Sequence, residues 1–337
     1  MLSVALDMTS PAEVAPGNAR YASFRHEALL YSGEAEFVSA TSSFIREGLA
    51  AGEAVLAVVD AHKIGLLQSA LGDHAGDVEF ADMAVVGRNP GCILDAWYRF
   101  AADNAGVGTV ARGVGEPVSP SRSAAELVEC QLHEALLNVA FPPQPPWTLL
   151  CPYDTQTLGV EVVAEAQRTH PFLRHGTETA TSLDFAGNGN GGAGAPQAPW
   201  QLRDPLPEPP ADAGTVELTI GDASLSALRR RVSLHAIEAG ASPERAGELA
   251  LVVSELATNS LRHGGGNGRL RLWLEGGNLV CEVADRGHIT DPLVGRRRPT
   301  GRQLHGRGLW LVHQLCDLVQ IRTAPGGTVV RVRVQLG

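Results

Sequence analysis

Two folded units of different class are predicted by this 337-residue sequence, an α/β unit with a parallel sheet followed by an α+β unit. Three observations predict them. The length exceeds what one core usually organises, the first half alternates short apolar runs with helical spacing, and a glycine- and proline-rich stretch separates it from a half rich in strand pairs. Charge divides at the same place: residues 1 to 190 hold 10 Lys+Arg against 23 Asp+Glu, a balance of −13, whereas the remainder holds 17 against 14, a balance of +3.

In the first half, 53–60 (EAVLAVVD), 109–114 (TVARGV) and 147–151 (WTLLC) read as buried strands, and 34–51, 62–71, 90–105 and 121–140 carry helix-compatible spacing. Strand and helix in alternation suggest a parallel sheet with helices on both faces. From Gly187 to Gly214 the chain reads GNGNGGAGAPQAPWQLRDPLPEPPADAG, too rich in glycine and proline for a regular element, so it is expected to be a linker. The expected boundaries are 20–185, a linker at 186–213, and 214–337.

The second half opens with a strand at 216–220. Asp222 is expected to cap a helix ending near Gly240, with Leu225, Leu228, Val232 and Ile237 as its apolar stripe. A second helix starts with Ser242 as N-cap and Pro243 in its first turn, buries Ala246, Leu249, Ala250, Val253, Leu256 and Ala257, and stops at Gly264-Gly265-Gly266. Strands 269–274 and 279–284 form a hairpin. A glycine- and arginine-rich stretch follows, then a helix near 308–318 and strands 319–323 and 328–334 turned at Pro325-Gly326-Gly327.

Composition narrows the chemistry. With 44% hydrophobic and 19% charged residues the chain reads as folded rather than disordered, and no segment reaches the ~18 consecutive apolar residues of a membrane span. Residues 1 to 10 lack the basic start and apolar run of a leader, so a cytoplasmic protein is expected. The five cysteines are scattered, without a C-x-x-C pair, and predict buried thiols rather than disulfides or a zinc knuckle. Lys63 is the only lysine, and nothing before it resembles a P-loop; the H-R-D and D-F-G of eukaryotic-type protein kinases are absent too. A net charge of −10 disfavours direct nucleic-acid binding.

One constellation carries chemistry. Glu255 and Asn259 stand one turn apart on the second helix, beside its buried stripe, where a carboxylate and a carboxamide together can orient a nucleophile and offer oxygen to Mg²⁺. Asp285-Arg286-Gly287 closes a strand, which leaves an acceptor carboxylate at the sheet edge beside a glycine. Gly306-Arg307-Gly308-Leu309 then opens a helix, whose free N–H groups suit phosphate.

Taken together, 255–264 (ELATNSLRHG), 283–287 (VADRG), 306–312 (GRGLWLV) and 327–328 (GT) resemble the four motifs of the GHKL ATPase family, and most nearly its anti-sigma-factor serine kinases. The resemblance covers about 214–337 and implies a Bergerat-type sandwich that binds ATP and Mg²⁺. It implies Glu255 as general base, Asn259 as Mg²⁺ ligand, and Asp285 as acceptor of the adenine amino group, with Gly287 admitting the base and Thr328 supporting it. It further implies Gly306, Arg307, Gly308 and Leu309 at the phosphates, and a lid from His288 to His305 whose arginines offset phosphate charge. His263 fits the motif and equally fits a helix C-cap. The implied activity is that of a serine/threonine protein kinase acting as an anti-sigma regulator, with a sigma factor or its antagonist protein as partner and homodimerisation possible.

The first half resembles the MEDS sensory domain, a RecA-like module thought to sense small organic molecules. The likeness rests on His26-Glu27, Tyr31, Cys151-Pro152-Tyr153-Asp154 and His170-Pro171 and covers roughly 20–180. It implies that His26, Tyr31, Cys151, Tyr153 and Asp154 line a small-molecule pocket. Two other readings stay open: an ATP-binding partner switch that sequesters a sigma factor or antagonist without phosphorylating it, and a sensor histidine kinase with His133 as phosphoacceptor.

Overall fold

A computed structural model describes residues 24–104, 110–141, 147–187, 204–221, 224–299 and 307–336. The first half folds as β1 (Arg25–Tyr31), α1 (Glu34–Ala50), β2 (Ala54–Val59), α2 (Ala61–Leu71), β3 (Val78–Asp82), α3 (Met83–Val86), α4 (Ile93–Asp103), β4 (Ala111–Gly115), α5 (Ala124–Ala140), β5 (Trp147–Asp154), α6 (Val160–Thr169), β6 (Phe172–His175) and β7 (Glu178–Thr181). The strands form one sheet in the order β3-β2-β4-β5-β1-β6-β7, parallel except where β7 returns against β6. The expected parallel α/β sheet is therefore present.

Side-chain parity along the strands makes two cores, because successive residues point to opposite faces. Ala28 and Leu30 of β1 join Leu149, Cys151 and Tyr153 of β5 under α4 and α5, whereas Leu29, Tyr31 and Leu150 pack with Phe37 and Phe44 of α1 on the other face. Helix α5 starts on a full capping box: the Ser123 hydroxyl accepts from Glu126 N, and the Glu126 carboxylate accepts from Ser123 N.

The second half contributes β8 (Val216–Ile220), α7 (Leu225–Glu238), α8 (Pro243–His263), β9 (Gly268–Glu275), β10 (Asn278–Asp285), α9 (Arg307–Leu315), β11 (Leu318–Ala324) and β12 (Gly327–Gln335). Its sheet runs β11-β12-β10-β9-β8, antiparallel throughout, with the three helices on one face. Ser242 caps α8 by accepting from Arg245 N, as expected, and the expected stripe of α8 is buried. Two expectations for α7 are corrected. Its N-cap is Ser224, while Asp222 lies outside the described residues, and Ile237 is 47% exposed because Ala236 occupies the buried phase one position earlier.

The sheet's opposite face is polar and covered. Glu282 of β10 accepts from Arg271 of β9 and Arg331 of β12 at 2.9 Å each, and the same arginines reach Glu208 and the Pro207 carbonyl of the segment before β8. The carboxylate and both guanidiniums of this face are thus satisfied under cover.

The two halves are docked. Asn89 donates to the His313 carbonyl at 2.8 Å, the Cys92 thiol donates to the same oxygen at 3.1 Å, and Arg88 pairs with Asp317 at 3.2 Å. In these contacts the turn before α4 meets α9 and its following turn.

Candidate functional site

Helix α8 presents two edges to different surroundings. Its apolar stripe faces the sheet, and the half-buried flank beside it carries Glu255 and Asn259 toward a cavity of about 530 Å³. Residue spacing of one turn places both side chains along one wall. The opposite wall is the end of β10, with Asp285, Gly287 and, from β12, Thr328 and Val330. Leu256, Val283, Ile289, Val294 and Leu309 complete an apolar interior.

Asp285 is held firmly. Its Oδ2 accepts from the Ser260 hydroxyl at 2.5 Å and its Oδ1 from Gly287 N at 2.7 Å, which fixes the carboxylate while lone pairs remain for a further donor. Thr328 donates to the Gly287 carbonyl at 2.9 Å and so ties β12 to the same corner. Two glycines make this closeness possible. A Cβ on Gly264 would lie 2.4 Å from Asp285 Cγ, and one on Gly308 would lie 2.6 Å from Glu255 Oε2. The start of α9 therefore sits against the Glu255 carboxylate.

These residues fit an adenine nucleotide with Mg²⁺. A buried-edge acceptor flanked by apolar walls suits an adenine ring, and carboxylate and carboxamide oxygens suit a hard cation. Arg307 is exposed at the first position of α9, and Arg262 and His263 stand exposed on the last turn of α8; all three line the cavity. Leu309 is buried in the core. Gly306, and the lid residues from 300 to 305, lie outside the described residues.

The described part of the lid departs from expectation. Arg296 is buried against Glu129 of α5 at 3.8 Å; Arg297 donates to the Ala140 carbonyl and covers the Tyr98 ring at 4.4 Å. The backbone N of Arg298 donates to Asp95 at 2.8 Å. None of the three lines the nucleotide-sized cavity. They bind the first half instead, because that half offers buried carboxylates and a carbonyl at the seam.

The five residues expected to share a pocket in the first half are divided by parity. His26, Cys151 and Tyr153 lie on the α5 face, whereas Tyr31 and Asp154 point the other way, five and three residues along their strands from His26 and Cys151. Tyr31 donates to Glu116 at 2.7 Å, and Lys63 donates to both. Burial raises the Glu116 carboxyl, and Lys63 opposes that rise. His133, the candidate phosphoacceptor, is 1% exposed on the core side of α5, and burial lowers its pKa to about 4. So placed, His133 is closed to a phosphodonor.

Glu129, Glu116, Lys63 and Glu134 carry no local signal of a site in the sequence, and His170 enters there only through His170-Pro171. Each gains its meaning from a partner on another element, which spacing alone does not reveal.

Two family models match separate parts of the chain. Residues 25–171 match the family model of the MEDS domain, the MEthanogen/methylotroph DcmR sensory domain, and residues 219–334 match that of the histidine kinase-like ATPase domain. No curated protein matches the chain. Among solved structures, the RsbU and RsbW domains of Rv1364c from Mycobacterium tuberculosis align at 20% identity over 36% of this chain and 32% of that one, with a TM-score of 0.28. The Acinetobacter baumannii histidine kinase AdeS aligns at 11% identity over 36% of this chain and 68% of that one, with a TM-score of 0.23. The chain thus spans about a third of the Rv1364c chain, 32%. It carries a MEDS domain at its N-terminus and a histidine kinase-like ATPase domain at its C-terminus.

Proposed function

We propose that this chain is an ATP-dependent serine/threonine protein kinase of the anti-sigma regulatory type, tuned by its N-terminal sensory domain. The observation that carries the reading is the placement of Glu255 and Asn259 on one wall of the cavity that Asp285 closes at its other side. When bound, Mg-ATP supplies the γ-phosphoryl group and the charge neutralisation that phosphoryl transfer needs. Asp285 accepts the adenine amino group, Gly287 leaves room for the ring, and Thr328 holds that corner in place. Asn259 offers its carbonyl oxygen to the cation. Arg307, Gly308 and Leu309 present the start of α9 to the phosphates, with His263 at the rim; Gly306 belongs to the same motif and lies outside the described residues.

Glu255 accepts the proton of the attacking serine or threonine hydroxyl. The hydroxyl oxygen bonds to the γ-phosphorus, the bond from that phosphorus to the β,γ-bridging oxygen breaks, and ADP leaves with the electron pair. The partner is a sigma factor or its antagonist protein, the sensory ligand is a small molecule, and the site of action is the cytoplasm. Among the described residues no helix is long and apolar enough to cross a membrane.

The test is transfer from γ-labelled Mg-ATP into a lysate of the source organism, with wild type beside Glu255→Ala. Phosphoserine or phosphothreonine on a small antagonist-like protein, lost in the variant, supports the kinase. Undiminished labelling by the variant overturns Glu255 as base. ATP binding without any labelling would replace the kinase by a sequestering switch.

A further inference from the structure

The sensory domain holds a second constellation that the ATPase does not use. His26 of β1, Cys151 of the adjacent β5, Glu134 of α5 and His170 after α6 each send one ligand-type atom to a common point, all within 4.8 Å of one another. None of the four is more than 1% exposed. His26 Nε2 lies 3.0 Å from Glu134 Oε2 and 3.3 Å from Cys151 Sγ, and His170 Nε2 lies 3.3 Å from the same carboxylate oxygen. Ligands held ~2.0–2.3 Å from a tetrahedral ion stand about 3.3–3.7 Å from each other; the three shortest separations here lie at or just below that range, and the others extend to at most 4.8 Å.

Proton bookkeeping points the same way. Asn138 Nδ2 donates to the Thr169 carbonyl at 2.7 Å, which turns Asn138 Oδ1 toward His26 Nδ1 at 3.2 Å and makes that nitrogen the donor. His170 Nδ1 likewise donates to the Ala166 carbonyl at 2.8 Å. With each Nδ1 engaged outward, both rings turn their Nε2 inward. Such outer hydrogen bonds are how metal-bound histidines are oriented. Inside, His170 Nε2 and Glu134 Oε1 have no hydrogen-bond partner. Two imidazole nitrogens, a carboxylate and a thiol thus converge out of reach of water, a donor set that a central cation would join.

We propose that His26, Glu134, Cys151 and His170 bind one divalent transition-metal ion of the zinc or ferrous class. Two neutral nitrogens, a thiolate and a carboxylate form a borderline-soft donor set, unlike the all-oxygen shells of Mg²⁺ and Ca²⁺. On binding, the Cys151 sulfur gives its proton to solvent and its lone pair to the ion. The thiolate and the Glu134 carboxylate then cancel the ion's two positive charges, so what is buried among Phe24, Tyr153 and the neighbouring core is neutral overall. Four protein ligands close the shell, and loading accompanies folding.

The full-length chain, produced in zinc- or cobalt-supplemented medium, tests this by elemental analysis and absorption. We expect about one equivalent of metal per chain and, with Co²⁺, tetrahedral d–d bands together with a near-ultraviolet thiolate charge-transfer band. Cys151→Ser should remove the charge-transfer band, while Cys281→Ser in the other domain keeps it. The wild-type spectrum alone suffices should Cys151→Ser fail to fold. Metal-free protein with no cobalt bands and no metal-dependent rise in melting temperature would overturn the site and leave an imidazolium–carboxylate pair in its place. Neither readout involves nucleotide, so the result stands apart from the fate of the kinase reading.

Discussion

Glu129 of α5 and Arg322 of β11 meet at 2.9 Å across the seam between the two domains, and Arg296 approaches the same carboxylate at 3.8 Å. Glu129 is 1% and Arg296 4% exposed, so one carboxylate neutralises two guanidiniums away from water. Burial already pulls Arg296 below its ordinary pKa. Removing Glu129 leaves both cations uncompensated, a change that costs about 3–5 kcal/mol in a buried pair. Glu129→Ala should therefore undock the domains and free residues 288–299, seen as an early separate denaturation transition and new protease cleavage in that segment. A single transition unchanged from wild type would remove Glu129 from this role. The same helix carries Glu134, so α5 joins the buried cluster of the sensory domain to the lid.

Gly264→Ala probes the nucleotide site without touching a charge. The added Cβ would lie 2.4 Å from Asp285 Cγ, so the carboxylate that Ser260 and Gly287 hold must move. Overpacking of this kind costs ~1–3 kcal/mol, and nucleotide affinity should fall about tenfold or more while the fold persists. Calorimetric titration with ATP checks it, and an unchanged dissociation constant would show that Asp285 is not where adenine is read.

Asp285→Asn separates the carboxylate's charge from its shape. Two donors, the Ser260 hydroxyl and Gly287 N, already use both oxygens, and an amide offers one oxygen and an unwanted N–H₂ in their place. A buried donor facing another donor costs about 1–3 kcal/mol. The variant should weaken ATP more than GTP in competition binding. Equal weakening of both would point to a general loosening of the pocket instead.

What could be read in the sequence was whatever is local. Ser242 and the apolar stripe of α8, the 268–285 hairpin and the helix opening near Gly308 all follow from spacing within one element, and so does the cavity that they build. Short apolar runs were less legible: β1 is six residues of continuous burial, a pattern shared by strands and core helices alike. At the end of α7 the sequence favours Ile237 over Ala236, because Ala236 is too small to signal its burial. The sensory pocket failed on strand parity, since Tyr31 and Asp154 carry the right chemistry on the wrong face. His26, Glu134, Cys151 and His170 come from four separate elements, so no spacing rule joins them. The turning of Arg296 and Arg297 toward the sensory domain depends on Glu129 and Tyr98, which lie in the other half of the chain.

Acidification should loosen the docking through His313. Its ring is 1% exposed and packs so closely on Gly91 that a Cβ there would sit 2.1 Å from His313 Nδ1. Burial first, and then Arg296, hold the imidazole well below its ordinary value of 6.5. Arg296 of the lid acts on it, the Cys92 thiol donates to the His313 carbonyl at 3.1 Å, and the Asn89 amide faces its Nδ1 at 3.4 Å. A released His313 takes up a proton as pH falls through about 6.5, whereas the docked one does not, so the released state is favoured progressively below that pH. Docking is thus fully held above about pH 6.5 and weakens by up to ~1.4 kcal/mol for each further unit of acidification until the docked imidazole itself titrates. Hydrogen exchange at residues 89–92 and 307–315 should accelerate on acidification relative to the same segments in His313→Gln, where the slope disappears. A wild-type profile that His313→Gln reproduces would place the pH dependence on another group.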